Sequence, residues 1–264
     1  MQTQQQTILV TGATAGFGKA IAKLLVSQGH TVIGVGRRQA KLDELTSDLE
    51  TESGQFIGMA CDISDISAIQ PMLDKLNSEH GDSMPIDVLV NNAGLALGTE
   101  AAFETKLDDW MTMVDTNIKG LIALTHAILP DMVERNSGYI INVGSIAGNY
   151  PYFGGNVYGA TKAFVRQFSL NLRADLLGKN ARVTNLEPGN VGGTEFSVVR
   201  YHGDTDKANK VYEGFESMSA VDIADIVNWL IHSPAHVNVN TLEVMPTAQT
   251  FAGLRIAKNG DKDV

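Results

Sequence analysis

Apolar runs without polar alternation recur along the chain, separated by stretches whose apolar residues fall at helical spacing. Residues 7–11 (TILVT), 31–36 (TVIGVG), 86–91 (IDVLVN), 138–144 (GYIINVG), 181–187 (ARVTNLE) and 241–246 (TLEVMP) predict strands, and a shorter one falls near 55–60. Helices are predicted over 17–29, 40–52, 65–78, 106–135, 156–178 and 220–233, with Pro130 bending or interrupting the fourth of these. A strand lacking polar alternation is buried on both faces, so the sheet is mainly parallel, with helices on either side. Repeated strand–helix–strand units with right-handed crossovers make this a doubly wound α/β fold. No Pro/Gly/Ser-rich linker, internal repeat or low-complexity tract divides the chain, and 264 residues suit a single domain. The least regular stretch, 190–219, lies near the carboxyl end of the sheet, where ligands bind in this architecture, and is a candidate substrate lid. Residues 1–6 and about 258–264 are polar or charged ends expected to be flexible.

Composition narrows the function classes. The net charge of −10 leaves no excess of Lys and Arg to neutralise phosphates, which argues against nucleic acid and anionic lipid as partners. No apolar run reaches the ~20 residues of a membrane span, and the opening MQTQQQ does not resemble a signal peptide, so a cytoplasmic location is expected. Cys61 is the only cysteine, which excludes an internal disulfide and a thiolate-rich zinc site. The six histidines show no metal-ligand spacing, and no metal is expected.

The first strand runs directly into TGATAGFG, with Gly12, Gly16 and Gly18 spaced G-x-x-x-G-x-G. Glycines there permit a tight turn and close backbone approach to a pyrophosphate, while the following helix points free N–H groups at the anion. Thr14 and Phe17 share this turn as candidate cofactor contacts. At the end of the second strand, about 20 residues on, an NAD-binding chain carries an acid for the ribose 2′-hydroxyl. This chain carries Gly36-Arg37-Arg38. Two guanidiniums attract and can grip a 2′-phosphate, so NADP is the predicted cofactor. Asp62, followed by Ile63, ends the third strand; its carboxylate could accept from the adenine amino group or cap the next helix. Asn91-Asn92-Ala93-Gly94 closes the fourth strand, offering amides to a ribose hydroxyl or a neighbouring strand.

Candidate chemistry sits at later strand ends. Ser145 follows the fifth strand, and Tyr158 and Lys162 lie four apart on one face of the next helix. Moving a hydride off an alcohol requires removal of the hydroxyl proton. A free Tyr, with a pKa of about 10, is a poor base at neutral pH. A neighbouring Lys⁺ and a positive nicotinamide ring would lower it by favouring the phenolate. Tyr158 can then act as base in oxidation and acid in reduction, Ser145 can hold the substrate oxygen, and Lys162 can also bind the nicotinamide ribose.

TGATAGFG, NNAG, Asn117, Ser145, the Tyr158–Lys162 pair and Pro188-Gly189 together resemble the short-chain dehydrogenase/reductase superfamily over residues 7 to about 247. The resemblance implies strand order 3-2-1-4-5-6-7, an Asn117–Ser145–Tyr158–Lys162 tetrad, and a water held by Asn117 in a proton relay through Lys162. Without it, Asn117 reads as a helix-surface residue. It also implies nicotinamide contacts from Pro188, Gly189, Val191 and Thr194, and a homotetramer joined by the long helices near 106–135 and 156–178. LVTGATAGFG, VNNAGLALG, GGNVYGATKAFVRQFSLNLR and EPGNVGGTEFSVVR are similar to the NADP-dependent 3-hydroxy acid dehydrogenase branch. That similarity implies small substrates such as serine, allo-threonine, or 3-hydroxypropionate and its semialdehyde. Arg200 is the candidate partner for their carboxylate and Arg255 a weaker second, while Tyr150, Tyr152 and Phe153 could wall a compact pocket or simply pack. Two other readings stay open: the same chemistry on a 3-oxoacyl thioester, sugar or larger ketone, and a non-catalytic dinucleotide sensor, for which the intact Tyr–Lys pair is unfavourable.

Overall fold

The computed structural model describes residues 5–81 and 84–251. Seven strands, β1 (Thr7–Thr11), β2 (Thr31–Gly36), β3 (Gln55–Ala60), β4 (Val88–Asn91), β5 (Gly138–Val143), β6 (Ala181–Pro188) and β7 (Thr241–Val244), pair in parallel in the order β3-β2-β1-β4-β5-β6-β7. This is the expected sheet. The helices are α1 (Gly16–Ser27), α2 (Gln39–Asp48), α3 (Ile69–His80), α4 (Leu107–Val114), α5 (Leu121–Glu134), α6 (Asn156–Asp175), α7 (Phe196–Arg200), α8 (Thr205–Lys210) and α9 (Ala220–His232).

Alternate side chains of each strand point to opposite faces. Ile8 and Val10 of β1 join a core with Leu25 of α1, Leu42 of α2 and Val227 of α9. Leu9 between them joins the other core, with Met72 of α3, Leu124 of α5 and Leu172 of α6. Both faces of β1 are therefore dry, which is why its sequence lacks polar alternation.

A second periodicity crosses the sheet. Asn91, Asn142 and Asn185 are register partners on β4, β5 and β6, all buried. Asn91 Nδ2 donates to Asn142 Oδ1 at 2.8 Å and to Thr125 Oγ1 at 3.0 Å, and Asn142 Nδ2 donates to Ser169 Oγ at 2.8 Å. The row ties the sheet to α5 and α6.

Three expectations need correction. The helical stretch over 106–135 is interrupted at a π-helical segment, Asp115–Gly120, whereas Pro130 lies inside α5 without ending it. The stretch 190–219 is less irregular than expected, because α7 and α8 fall within it. Gln5 and Gln6 are tethered: Gln5 Nε2 donates to Thr31 Oγ1, the Gln6 N–H donates to His30 Nδ1, and the Gln6 carbonyl accepts from the Thr31 N–H. The rest of the polar N-terminus, the charged C-terminal tail and Arg255 lie outside the described residues.

Candidate active site

The chain order reverses between β1 and β4, which pair with each other while β2 flanks β1 and β5 flanks β4. Ligands bind at the carboxyl ends of such strands. Here Thr11, fully buried at the end of β1, uses its hydroxyl oxygen to accept the N–H groups of Asn92 and Ala93 at 3.0 and 2.9 Å, and Asn92 Nδ2 donates to the Thr11 carbonyl at 2.7 Å. The two strand ends are thereby joined beneath one cleft.

The glycine turn forms its floor. Gly12 adopts φ +71°, and a Cβ there would stand 2.9 Å from Asn92 Nδ2. A Cβ on Gly18 would run into the Gly12 carbonyl, so that glycine packs helix against turn. Helix α1 begins with no side-chain cap and no acid in its first turn. Its first N–H groups lack intrahelical partners by construction, so the cleft receives an uncapped positive helix end suited to a pyrophosphate. Gly12, Thr14, Gly16, Phe17, Arg37, Arg38, Asp62, Ile63, Asn92, Ala93, Gly94, Tyr158, Lys162 and Thr194 all line this one cleft.

At one end stand the cations. Arg38 donates from Nε and Nη2 to Thr14 Oγ1 at 3.3 and 3.0 Å, and its Nη1 lies 3.0 Å from a carboxylate oxygen of Glu195. The Lys41 Nζ reaches the same carboxylate at 2.9 Å. Arg37 is more exposed, with Nη1 3.8 Å from Asp62 Oδ2. The other Asp62 oxygen accepts from the Ser64 N–H and hydroxyl in a local turn, while the helical turn that follows is capped by Asp65, so Asp62 caps no helix and faces the cleft.

At the other end, α6 carries Tyr158 and Lys162 one turn apart, both buried. Lys162 Nζ donates to the Val143 carbonyl at the end of β5 at 2.7 Å. Burial pulls the Lys162 ammonium down to about 8. Burial also pushes the Tyr158 phenol up to about 12, opposed by a hydrogen bond with Ser145 and by the Arg200 guanidinium. The expected lowering counted Lys162 together with a positive nicotinamide ring; the protein's own cations alone do not produce it. Desolvation disfavours the phenolate by more than the cations in the structure favour it. Arg200 Cζ lies 5.8 Å from the Tyr158 ring centroid, Lys162 Nζ 5.9 Å. Arg200 is held by the Gly98 carbonyl at 3.3 Å and the Tyr152 hydroxyl at 3.0 Å, and no carboxylate among the described residues forms an ion pair with it.

A family model described as short chain dehydrogenase matches residues 6–203, three-quarters of the chain. This chain belongs to the short-chain dehydrogenase family. It is 57% identical over 252 residues to a probable NADP-dependent dehydrogenase of Haemophilus influenzae, covering 96% of this chain and 98% of that one. It is 56% identical over 250 residues to the NADP-dependent 3-hydroxy acid dehydrogenase YdfG of Shigella flexneri, covering 94% and 98% of the two chains. Among solved structures, the closed form of a serine dehydrogenase complexed with NADP+ superposes with TM-score 0.90 at 53% identity, covering 96% of this chain and all of that one.

Within this short-chain dehydrogenase, several predicted site residues stand elsewhere than expected. Asn91 does not face the cleft; its amide is spent on Asn142 and Thr125 in the core. Gly18, Ser145, Pro188, Gly189, Val191 and Arg200 are not among the residues that line the cleft, Ser145 and Arg200 standing beside Tyr158 at its edge. Pro188 ends β6, Gly189 donates its N–H to the Val244 carbonyl at 2.8 Å, and Val191 is buried beside Met218. Asn117, which reads as a surface residue without the family resemblance, is buried in the π segment. Its Oδ1 accepts the Leu95 N–H at 2.9 Å, and its Nδ2 donates to the Leu95 carbonyl and to Thr161 Oγ1 at 2.9 and 3.1 Å. π-type turns recur at functional sites, and this one places Asn117 beneath the loop after β4. Tyr150 turns away from Tyr158: its hydroxyl donates to Glu243 at 3.1 Å, in a separate polar pocket with Arg166 and Glu187. Tyr152 packs with Tyr158, Met113 and Phe196. Sequence reasoning passed over Thr11, Lys41 and Glu195. A polar residue closing an otherwise apolar strand was the available signal for Thr11; nothing local marked the other two.

Proposed function

We propose that this chain is an NADP-dependent oxidoreductase that moves a hydride between the nicotinamide and the 3-position of a small 3-hydroxy acid or the corresponding semialdehyde. The observation that carries the substrate class is Arg200. A guanidinium with no carboxylate partner among the described residues stands beside Tyr158, and a short hydroxy acid could place its hydroxyl at Tyr158 and its carboxylate at Arg200. The names of the similar proteins support the same reading.

The residues fit the cofactor: an uncapped helix end faces the glycine turn, and Arg37 and Arg38 stand where an acid would reject a 2′-phosphate. Bound NADP supplies or accepts the hydride and, when oxidised, adds a positive ring near the phenol. Tyr158 gives a proton to the carbonyl oxygen in reduction and takes one from the hydroxyl in oxidation. Ser145, whose Oγ also accepts the Ala147 N–H at 3.1 Å, orients that oxygen beside Tyr158. Lys162, fixed by the Val143 carbonyl, holds the nicotinamide ribose and passes protons to solvent. The Asn117 side chain is committed to Leu95 and Thr161, so its part in the relay falls to its main chain. The segment 190–219, which contains α7 and α8, is the candidate lid over the substrate.

No described helix is long and apolar enough to cross a membrane, and the acidic composition suits the cytoplasm. A homotetramer is supported by the exposed Leu107 and Met111 of α4 and Ile122 of α5 in the 106–135 stretch, whereas α6 exposes no large apolar side chain and Val221 and Trp229 of α9 do. The test of function is the 340 nm nicotinamide assay with NADP or NAD against serine, allo-threonine, 3-hydroxypropionate, 3-hydroxyisobutyrate and a plain secondary alcohol. Turnover with NADP and the hydroxy acids alone is expected. Activity confined to the plain alcohol, or to oxoacyl substrates, would overturn the substrate class.

A further inference from the structure

One short segment of this chain touches every part of the cleft. A Cβ on Gly16 of the phosphate turn would stand 3.5 Å from Thr194. The next residue, Glu195, grips Arg38 and Lys41. Phe196 lies against Tyr158, with ring centroids 5.8 Å apart. At the other end of α7, Arg200 faces Tyr158 and Tyr152. Seven residues thus connect the glycine turn, the cations at the end of β2, the proton-transfer residue and the candidate carboxylate partner.

The Glu195 contact is unusual in its placement. Arg38 is the residue the cofactor reading assigns to the 2′-phosphate, yet its guanidinium is shared between Thr14 Oγ1 and a carboxylate. Lys41 Nζ and Arg38 Nη1 both approach Glu195 Oε1, at 2.9 and 3.2 Å. Two cations converging on one anionic oxygen is the arrangement a phosphate oxygen would meet. All three side chains are 41–49% exposed. Ion pairs so exposed contribute little to stability, so breaking them costs the fold little. A 2′-phosphate carries about −1.5 to −2 charge and three acceptor oxygens, against one charge on the carboxylate, and outcompetes it for the same cations.

We propose that Glu195 is an internal competitor for the cofactor's 2′-phosphate, with Lys41 as a third phosphate-binding cation beside Arg37 and Arg38. Cofactor arrival expels the carboxylate and releases the start of α7. The lid then senses which nicotinamide cofactor is bound: NAD, lacking the phosphate, leaves Glu195 on its cations, whereas NADP frees it. Glu195 is a specificity-determining residue acting through Arg38 and Lys41, distinct from the catalytic set. The inference rests on the assignment of NADP and of Arg38 to its 2′-phosphate.

The test uses the intact protein with two small probes that lack nicotinamide, so that lid contacts to that ring play no part. Adenosine 2′,5′-bisphosphate carries the extra phosphate and adenosine 5′-monophosphate does not. Titration calorimetry is run on wild type, Glu195→Gln and Lys41→Met. Glu195→Gln is expected to bind the bisphosphate about 3- to 10-fold tighter, the range expected when exposed ion pairs no longer compete, and the monophosphate unchanged. Lys41→Met is expected to bind the bisphosphate several-fold more weakly, again with the monophosphate unchanged, which shows that the variant is folded. Hydrogen exchange in residues 195–203 should quicken when wild type takes up the bisphosphate and stay constant with the monophosphate. In Glu195→Gln it should be equal with both. If wild type does not prefer the bisphosphate, the 2′-phosphate assignment fails and the proposal with it. If wild type prefers it but Glu195→Gln binds it no tighter, or exchange in the segment does not respond, the assignment stands and the competitor role is overturned.

Discussion

The two ends of the cleft are built in opposite ways. At the adenosine end, main chain and exposed cations do the work: a glycine turn, an uncapped helix start, and guanidinium and ammonium groups standing in solvent. At the chemical end, Tyr158 and Lys162 are buried and their proton affinities are displaced in opposite directions, to about 12 and about 8. Screened charges tune affinity in small steps, whereas desolvated groups govern rate in large ones. Substitutions at the two ends should therefore separate cofactor choice from catalysis.

The sharpest way to break the comparison is Tyr158→Phe. It should lower kcat by about 10²–10⁴-fold, the usual worth of a positioned acid or base, and leave NADPH binding intact as read by fluorescence. A variant with near-normal turnover would remove Tyr158 from the mechanism. The raised phenol gives a second, pH-dependent mark. Below its pKa, the fraction of Tyr158 in the basic form rises about tenfold per pH unit. Hydroxy acid oxidation should therefore quicken relative to carbonyl reduction from pH 7 to 9, because reduction uses the protonated phenol already dominant there, while loss of the Lys162 proton near 8 bears on both directions alike. Parallel profiles in both directions would assign the proton step to another group. Arg200→Gln should raise KM for hydroxy acids by about 10- to 100-fold, the loss of one charge-assisted hydrogen bond, with no change for an alcohol lacking a carboxylate. At the adenosine end, Arg37→Gln and Arg38→Gln should each weaken NADP binding by about tenfold or less and spare NAD. Equal losses for both cofactors would mean that these side chains serve the fold rather than the phosphate.

The same division explains what could be read from the chain. Strands buried on both faces announce themselves as unbroken apolar runs, so β1 and β2 fall where TILVT and TVIGVG put them, and the less buried β3 falls in the region near 55–60. The glycine turn and the basic pair after β2 are local in sequence and were equally legible. The chemical end depends on contacts that no window of sequence contains. Asn117 reads as a surface residue until the π segment turns it under Leu95, 22 positions earlier. Asn91 and Asn92 look alike in NNAG, yet strand alternation sends one amide into the core and leaves the other at the cleft. The expected acidification of Tyr158 by Lys162 and a positive nicotinamide ring is a judgement about charge that leaves out the opposing effect of burial. Pro130 looked like the break in the long helix because ring sterics are visible in sequence, whereas the π insertion fifteen residues earlier carries no comparable mark.

The aligned asparagines of β4, β5 and β6 bear on how such a sheet reaches its structure. Parallel strands come together late and from far apart in the chain, and Val, Ile and Leu fit almost equally well one notch out of step. Asn91 and Asn142 do not tolerate that notch. Sliding β4 past β5 by one residue would carry the Asn91 amide away from Asn142 and strand it in hydrocarbon, at about 1–3 kcal/mol for each group left unpaired. The Asn91–Asn142 pair thus serves as a proofreading mark between β4 and β5, rejecting misaligned intermediates that greasy side chains alone would accept.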